Sequence, residues 1–255
     1  MVERFSKDTS AGKYKLVLSR LRGLSNPFNV ELIGGEPTLH PNIEDIIVEL
    51  SGIDACQRIQ VVTNLSRSLE FYKRFDHPKV QLIASYHPEH HTEDFVEKAA
   101  QIRNINVTVN LIDDPSYFDQ TIKVVEMFKE RRVEFAFNLL NATPTYQPNY
   151  NERFFDVYDS LISEGKNNEH IPYAFEDGSV GTFNESQIVK NGLHKLKGYM
   201  CTPIRYRITH DGDIHNFCTG RKLPLIIGES THQREVCPNE CCGCDALFIF
   251  HKERV

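Results

Sequence analysis

The sequence lacks any long uninterrupted apolar run, and this absence excludes a membrane-spanning helix. No stretch approaches the roughly 18 consecutive apolar residues that a spanning helix requires. The N-terminal residues contain no apolar region of the kind found in signal peptides. An excess of basic residues is also missing, since 29 Lys and Arg face 35 Asp and Glu for a net charge of −6. We therefore expect a cytoplasmic protein with no nucleic-acid partner and no membrane partner.

Cysteine is scarce over most of the chain and concentrated near its end. Cys56 stands alone in the first 200 residues, and we interpret it as a small core side chain. Thiols stay reduced in the cytosol, so a dense cysteine cluster favours metal binding over disulfides. The clustered cysteines, which we predict as metal ligands, are Cys201, Cys218, Cys237, Cys241, Cys242 and Cys244.

Apolar runs of strand length alternate with helical segments through the first half of the chain. Their starts recur every 22 to 30 residues, a spacing typical of βα units in a parallel sheet or barrel. The runs are continuous rather than alternating, as expected for strands covered on both faces. Helices are predicted between them, one starting after Asn42 as N-cap and one from Thr92. The predicted strands are 28–33, 58–63, 80–85, 106–112 and 133–139.

The composition changes after Leu140, where a polar loop with two prolines precedes a predicted helix at about 151–164. From Ile171 onward, short strands and turns dominate. A hairpin is predicted around the turn 210–213, which contains Asp211-Gly212. A hairpin at this position can bring Cys201 and Cys218 together. We predict a first domain at 1–145, a helical and loop connection at 146–198, and a cysteine-rich module at 199–255.

The most specific motif of the first half follows the first predicted strand, where Gly34-Gly35-Glu36-Pro37 leads towards a helix. Ligands of parallel α/β sheets bind at the carboxyl ends of strands. The two glycines let a ligand approach the backbone closely, and Glu36 can accept from an ammonium group. An ordinary strand-to-helix turn is the alternative. Further polar residues that end predicted strands are Asn64, Ser85, His87, Asn110 and Asn138.

The run from Gly34 to Pro41 resembles the GGEP motif of the radical S-adenosylmethionine (radical SAM) family. Val62-Thr63-Asn64 resembles a Thr-Asn-Gly segment of that family, with Leu65 in place of the glycine. The resemblance implies a partial (β/α)6 barrel, related to the TIM barrel. It implies that Gly34 to Pro37, with Asn64, Ser85 and Asn110, bind S-adenosyl-L-methionine. The complete form would cleave this cofactor to a 5′-deoxyadenosyl radical that modifies a peptide or small molecule, with a reductase as a further partner.

The resemblance breaks down before Gly34. In the family, a Cys-x3-Cys-x2-Cys loop after the first strand binds the catalytic [4Fe–4S] cluster, but no cysteine precedes Gly34 here. A helix is predicted at 10–22 with no strand before it. We therefore expect a barrel that lacks its first strand, in a truncated or degenerate chain. The alternative function is a non-catalytic metal-binding scaffold, and whether the chain is an enzyme stays open.

The C-terminal cysteines resemble the SPASM and twitch extensions that follow radical SAM barrels. The shared pattern is a cysteine, a hairpin with Asp-Gly, a second cysteine, a gap and a final cysteine group. The resemblance implies an auxiliary [4Fe–4S] cluster. Cys201 and Cys218 are the firmest ligands, Cys244 with Cys241 or Cys242 would complete the set, and Cys237 is a rival. Zinc bound by four thiolates is the alternative metal.

Overall fold

The computed structural model divides the chain into two compact units. The first comprises Met1–Leu140 and Pro148–Lys166, and the second comprises Asn141–Gln147 and Asn167–Val255. No helix among the described residues is long and apolar enough to cross a membrane. The structure describes residues 13–87, 92–111, 117–139, 152–162, 171–201, 206–209, 213–217, 219–223, 234–240 and 253–254.

The first unit is built on a five-stranded parallel sheet whose strand order follows the chain, so each strand pairs with the next one. This arrangement confirms the α/β class and all five predicted strands, with ends shifted by one or two residues. The strands are β1 (Phe28–Leu32), β2 (Cys56–Thr63), β3 (Val80–Tyr86), β4 (Ile105–Leu111) and β5 (Phe135–Leu139).

Helices connect these strands, as parallel pairing requires. The predicted helices at 10–22, after Asn42, from Thr92 and at 151–164 are confirmed within a few residues. A single 3-10 turn, Pro37–Leu39, follows β1. The α-helices of this unit are α1 (Lys13–Arg22), α2 (Ile43–Ser51), α3 (Leu69–Lys73), α4 (Thr92–Gln101), α5 (Phe118–Glu130) and α6 (Glu152–Ile162).

The core lies between one face of the sheet and these helices. Tyr86 of β3 meets Phe95 of α4 at a ring-centroid distance of 5.4 Å and Phe128 of α5 at 6.3 Å. All three side chains are buried, and burying an aromatic ring of this size stabilises the fold by about 1.5–3 kcal/mol. The same contacts show which face α4 and α5 cover.

The opposite face of the sheet is only partly covered. Along β3, buried residues alternate with half-buried ones, and β1 alternates half-buried with exposed residues. The half-buried set includes Gln81 and Ser85 on β3, together with Gln60 on β2, whose amide donates to Gln81 at 3.1 Å. The expectation that these strands are buried on both faces is therefore wrong. The apolar runs contain just enough polar residues, at every second position, to leave one face open to polar groups.

The second unit contains short antiparallel strands. The predicted hairpin is confirmed, since Tyr206–Ile208 pairs with Ile214–Asn216. Gly181 sits under two aromatic rings, because a Cβ there would lie 2.5 Å from Phe183 and 3.1 Å from Phe175. The elements are β6 (Ile171–Ala174), β7 (Val180–Phe183), α7 (Glu185–Lys190), β8 (Tyr199–Cys201), β9 (Tyr206–Ile208), β10 (Ile214–Asn216), β11 (Glu235–Val236) and β12 (Glu253–Arg254).

Candidate functional site

Two glycines lie open at the carboxyl end of β1. Gly34 has a φ of 113° and Gly35 a φ of 29°, both in the region that favours glycine. Both are exposed, and a Cβ built on either would meet nothing within 4 Å. The exposed side chains of Ile33 and Leu39 flank them. The backbone groups at this edge are therefore accessible to a ligand, as the motif predicts.

The carboxylate of Glu36 is engaged by the protein itself. Its Oε1 accepts hydrogen bonds from the Thr38 backbone N–H at 3.1 Å and from the Thr38 hydroxyl at 2.6 Å. Its Oε2 accepts from the backbone N–H of Asn64 at 2.7 Å. Pro37 fits the first position of the 3-10 turn because that position needs no N–H donor. The structure thus brings Glu36 and Asn64, two predicted site residues, into direct contact.

A network of hydrogen bonds below Asn64 fixes the loop after β2. The hydroxyls of Thr63 and Tyr72 lie 3.1 Å apart, and both residues are buried. The Thr63 hydroxyl accepts from the Leu65 backbone N–H at 3.1 Å, and the Tyr72 hydroxyl accepts from the Arg67 N–H at 3.1 Å. Sequence reasoning missed the roles of Thr38 and Tyr72, because only three-dimensional proximity links them to the motif.

The orientation of the Asn64 side chain follows from one hydrogen bond. Its Oδ1 accepts from the Ser66 backbone N–H at 3.0 Å, which assigns the carbonyl oxygen to that side of the amide. The Nδ2 group is therefore the donor end of this exposed side chain. A donor beside the open glycines can contact a ligand group that accepts hydrogen bonds.

His40 and Asn42 follow the motif and connect it to α2. The Nδ1 of His40 accepts from the Asn42 backbone N–H at 3.1 Å, and burial lowers the pKa of the His40 imidazole. The predicted cap by Asn42 is corrected, since its side chain makes no capping hydrogen bond. Its φ of −108° and ψ of 22° place it outside the extended conformation of a capping residue.

The remaining predicted cofactor residues lie further along the same edge of the sheet. Ser85 is half-buried on the open face, one residue before the end of β3, and it pairs in register with Thr108 of β4. Asn110 pairs with Asn138 near the carboxyl ends of β4 and β5. The structure places the backbone of all these residues at the edge that the motif predicts.

Two of the predicted metal ligands fall within the described residues. The Cys237 backbone N–H donates to the Tyr199 carbonyl of β8 at 2.8 Å, and Cys201 ends the same strand opposite Glu235. Cys237 belongs to a buried apolar cluster with Tyr173, and Cys201 packs against that cluster. The two cysteines therefore line one small core.

The other predicted ligands, Cys218, Cys241, Cys242 and Cys244, lie outside the described residues. Within the described ranges, no group of three His, Cys, Asp or Glu side chains is placed to hold a metal ion. Cys56 is buried at the start of β2, where burial raises the pKa of its thiol, and this confirms its interpretation as a core residue.

The sequence contains a further signal in the cysteine-rich region. Cys237, Cys241 and Cys244 have the spacing Cys-x3-Cys-x2-Cys, which does not occur before Gly34. The chain therefore does carry a cysteine triplet with this spacing, although in its second unit. The pair spacing of Cys241 and Cys244 alone does not reveal it, because Cys237 has to be counted with them.

No protein-family model matches the chain, and no curated protein matches it either. Among solved structures, SuiB of Streptococcus suis bound to S-adenosylmethionine aligns with a TM-score of 0.47 and 13% identity, over 63% of this chain and 42% of that chain. SuiB without a named ligand gives 0.47 and 13%, over 64% and 42%. SuiB bound to precursor peptide SuiA gives 0.48 and 12%, over 63% and 40%. The chain thus matches about two fifths of the length of these structures, and the comparison establishes neither a family nor an activity.

Proposed function

We propose that the chain binds S-adenosylmethionine at the carboxyl edge of the parallel sheet, as part of a radical SAM-type protein that acts on a peptide or small molecule. The observation that carries this proposal is the open backbone of Gly34 and Gly35 beside the donor group of Asn64. An amino-acid-like ligand offers both an ammonium group for backbone carbonyls and a carboxylate for amide donors. Carboxyl ends of parallel strands are the usual place for such ligands.

The residues present fit the cofactors that this function requires. The open glycines and Asn64 would hold the methionine part of S-adenosylmethionine. The thiol groups of Cys201 and Cys237, with cysteines outside the described residues, are the donor type that iron–sulfur clusters take. When bound, a reduced cluster would supply the electron for cofactor cleavage. The part of this chain's own groups is to bind and orient the ligand at the sheet edge.

Equilibrium dialysis of the full chain with radiolabelled S-adenosylmethionine tests the proposal. The unmodified chain should bind the cofactor, and Asn64→Ala should weaken binding by about tenfold, the effect of one lost hydrogen bond of roughly 1.4 kcal/mol. Asn29→Ala is the matched control, because Asn29 is an exposed amide near the amino end of β1. Absence of binding by the unmodified chain would contradict the proposal and favour the alternative, a metal-binding scaffold.

A further inference from the structure

We propose that Glu36 is a positioning residue, which fixes the site edge, and that ligand contact belongs to its neighbours. The motif predicts that Glu36 accepts from a ligand ammonium group. The structure instead shows three donors of the protein on this one carboxylate. The clasp, defined as Glu36, Thr38 and the Asn64 backbone N–H, is independent of any ligand. Its consequence for ligand binding rests on the proposed function.

The capacity of the carboxylate supports this assignment. Each carboxylate oxygen accepts about two hydrogen bonds, so the two donors of Thr38 fill Oε1. The 2.7 Å bond from Asn64 occupies part of Oε2. Hydrogen bonds to an ionised acceptor are about twice as strong as neutral ones. Thr38 is only 1% exposed, so water competes little for its hydroxyl.

The clasp joins two segments that the chain otherwise leaves independent. Glu36 and Thr38 lie in the turn after β1, whereas Asn64 starts the loop after β2. The bond across them holds the open turn of Gly34 and Gly35 against the neighbouring strand end. It also sets the backbone of Asn64, whose side chain is then oriented by Ser66 with its Nδ2 as donor. Glu36 therefore acts on a ligand through Asn64 and the glycine backbone, and the Asn64 amide would take a carboxylate or hydroxyl oxygen of that ligand.

Amide hydrogen exchange of the full, ligand-free chain, followed by NMR at neutral pH, tests the clasp. In Glu36→Gln, the side-chain amide can replace only one acceptor oxygen, so the Asn64 N–H should exchange about tenfold faster or more, with its proton resonance shifted upfield. Thr38→Val should change both readouts in the same direction, and Thr38→Ser should restore the values of the unmodified protein. Glu70→Gln is the matched control, since Glu70 pairs only with Lys73 on an exposed helix surface.

Titration of the same variants with S-adenosylmethionine separates positioning from direct contact. If Glu36 contacted the ligand directly, Glu36→Gln would weaken binding while leaving Asn64 exchange in the free protein unchanged, and this result would overturn the inference. Positioning predicts that Thr38→Val weakens binding together with faster Asn64 exchange, and that Thr38→Ser restores both. If no variant binds the cofactor but the exchange effects appear, the proposed function fails and the clasp stands.

Discussion

Leu65 combines a left-handed backbone with a buried side chain. Its φ is 55°, and only 2% of the residue is exposed. The left-handed conformation costs a residue with a Cβ about 1–2 kcal/mol. The resemblance to a Thr-Asn-Gly segment explains why a glycine would suit this position. The leucine is tolerated here because burial of its side chain offsets the strain.

This conflict predicts an unusual order of stabilities. Leu65→Ala should lower the free energy of unfolding by about 2–5 kcal/mol, since it leaves a cavity and keeps the strain. Leu65→Gly should be no less stable than Leu65→Ala, because glycine removes about 1–2 kcal/mol of left-handed strain. Urea unfolding followed by circular dichroism measures both values. A glycine variant clearly less stable than the alanine variant would show that the backbone here is not strained.

At the scale of elements, one lysine ties α4 to the loop after β2. Lys98 of α4 donates to the Leu65 carbonyl at 2.9 Å and pairs with Asp94 at 2.6 Å. The Lys98 side chain is only 14% exposed, so its charge is held away from water by these partners. The helix that covers the core therefore also supports the loop that carries Asn64.

Removal of this tie should destabilise the first unit. Lys98→Met keeps most of the apolar stem but leaves the Leu65 carbonyl without this donor, which should cost about 1–3 kcal/mol of unfolding free energy. Lys73→Met is the matched control, because its exposed pair with Glu70 should contribute at most about 0.5 kcal/mol. Guanidinium unfolding of the two variants gives the comparison. Equal effects would mean that Lys98 does not hold the loop.

The strands and helices of the first unit were predictable because each depends on local pattern. The five apolar runs became the five strands, and Gly34-Gly35 marked the turn after β1. The open face of the sheet was not predictable from those runs. Gln60 and Gln81 stand in different runs, and only the register of β2 against β3 brings them together. The same holds for Glu36, whose bond to Asn64 joins residues 28 positions apart.

At the scale of the whole molecule, chemistry-bearing groups are divided between the two units. The glycine edge and Asn64 belong to the first unit, whereas every cysteine except Cys56 belongs to the second. Ligand binding through backbone groups and metal binding through thiolates can thus be varied separately. This separation makes a metal test possible that leaves the sheet edge intact.

Anaerobic reconstitution with ferrous iron and sulfide should load about four irons per chain, with a broad visible absorbance, because clustered thiolates are the ligands of such clusters. Cys201→Ser and Cys237→Ser should each lower the bound iron by about half or more, since loss of one thiolate weakens the whole cluster. Cys56→Ala should retain the iron, because Cys56 is buried in the first unit. Metal analysis by mass spectrometry decides between the metals. Stoichiometric zinc without iron would replace the cluster with a tetrahedral thiolate site, and iron unaffected by Cys237→Ser would remove that residue from the ligand set.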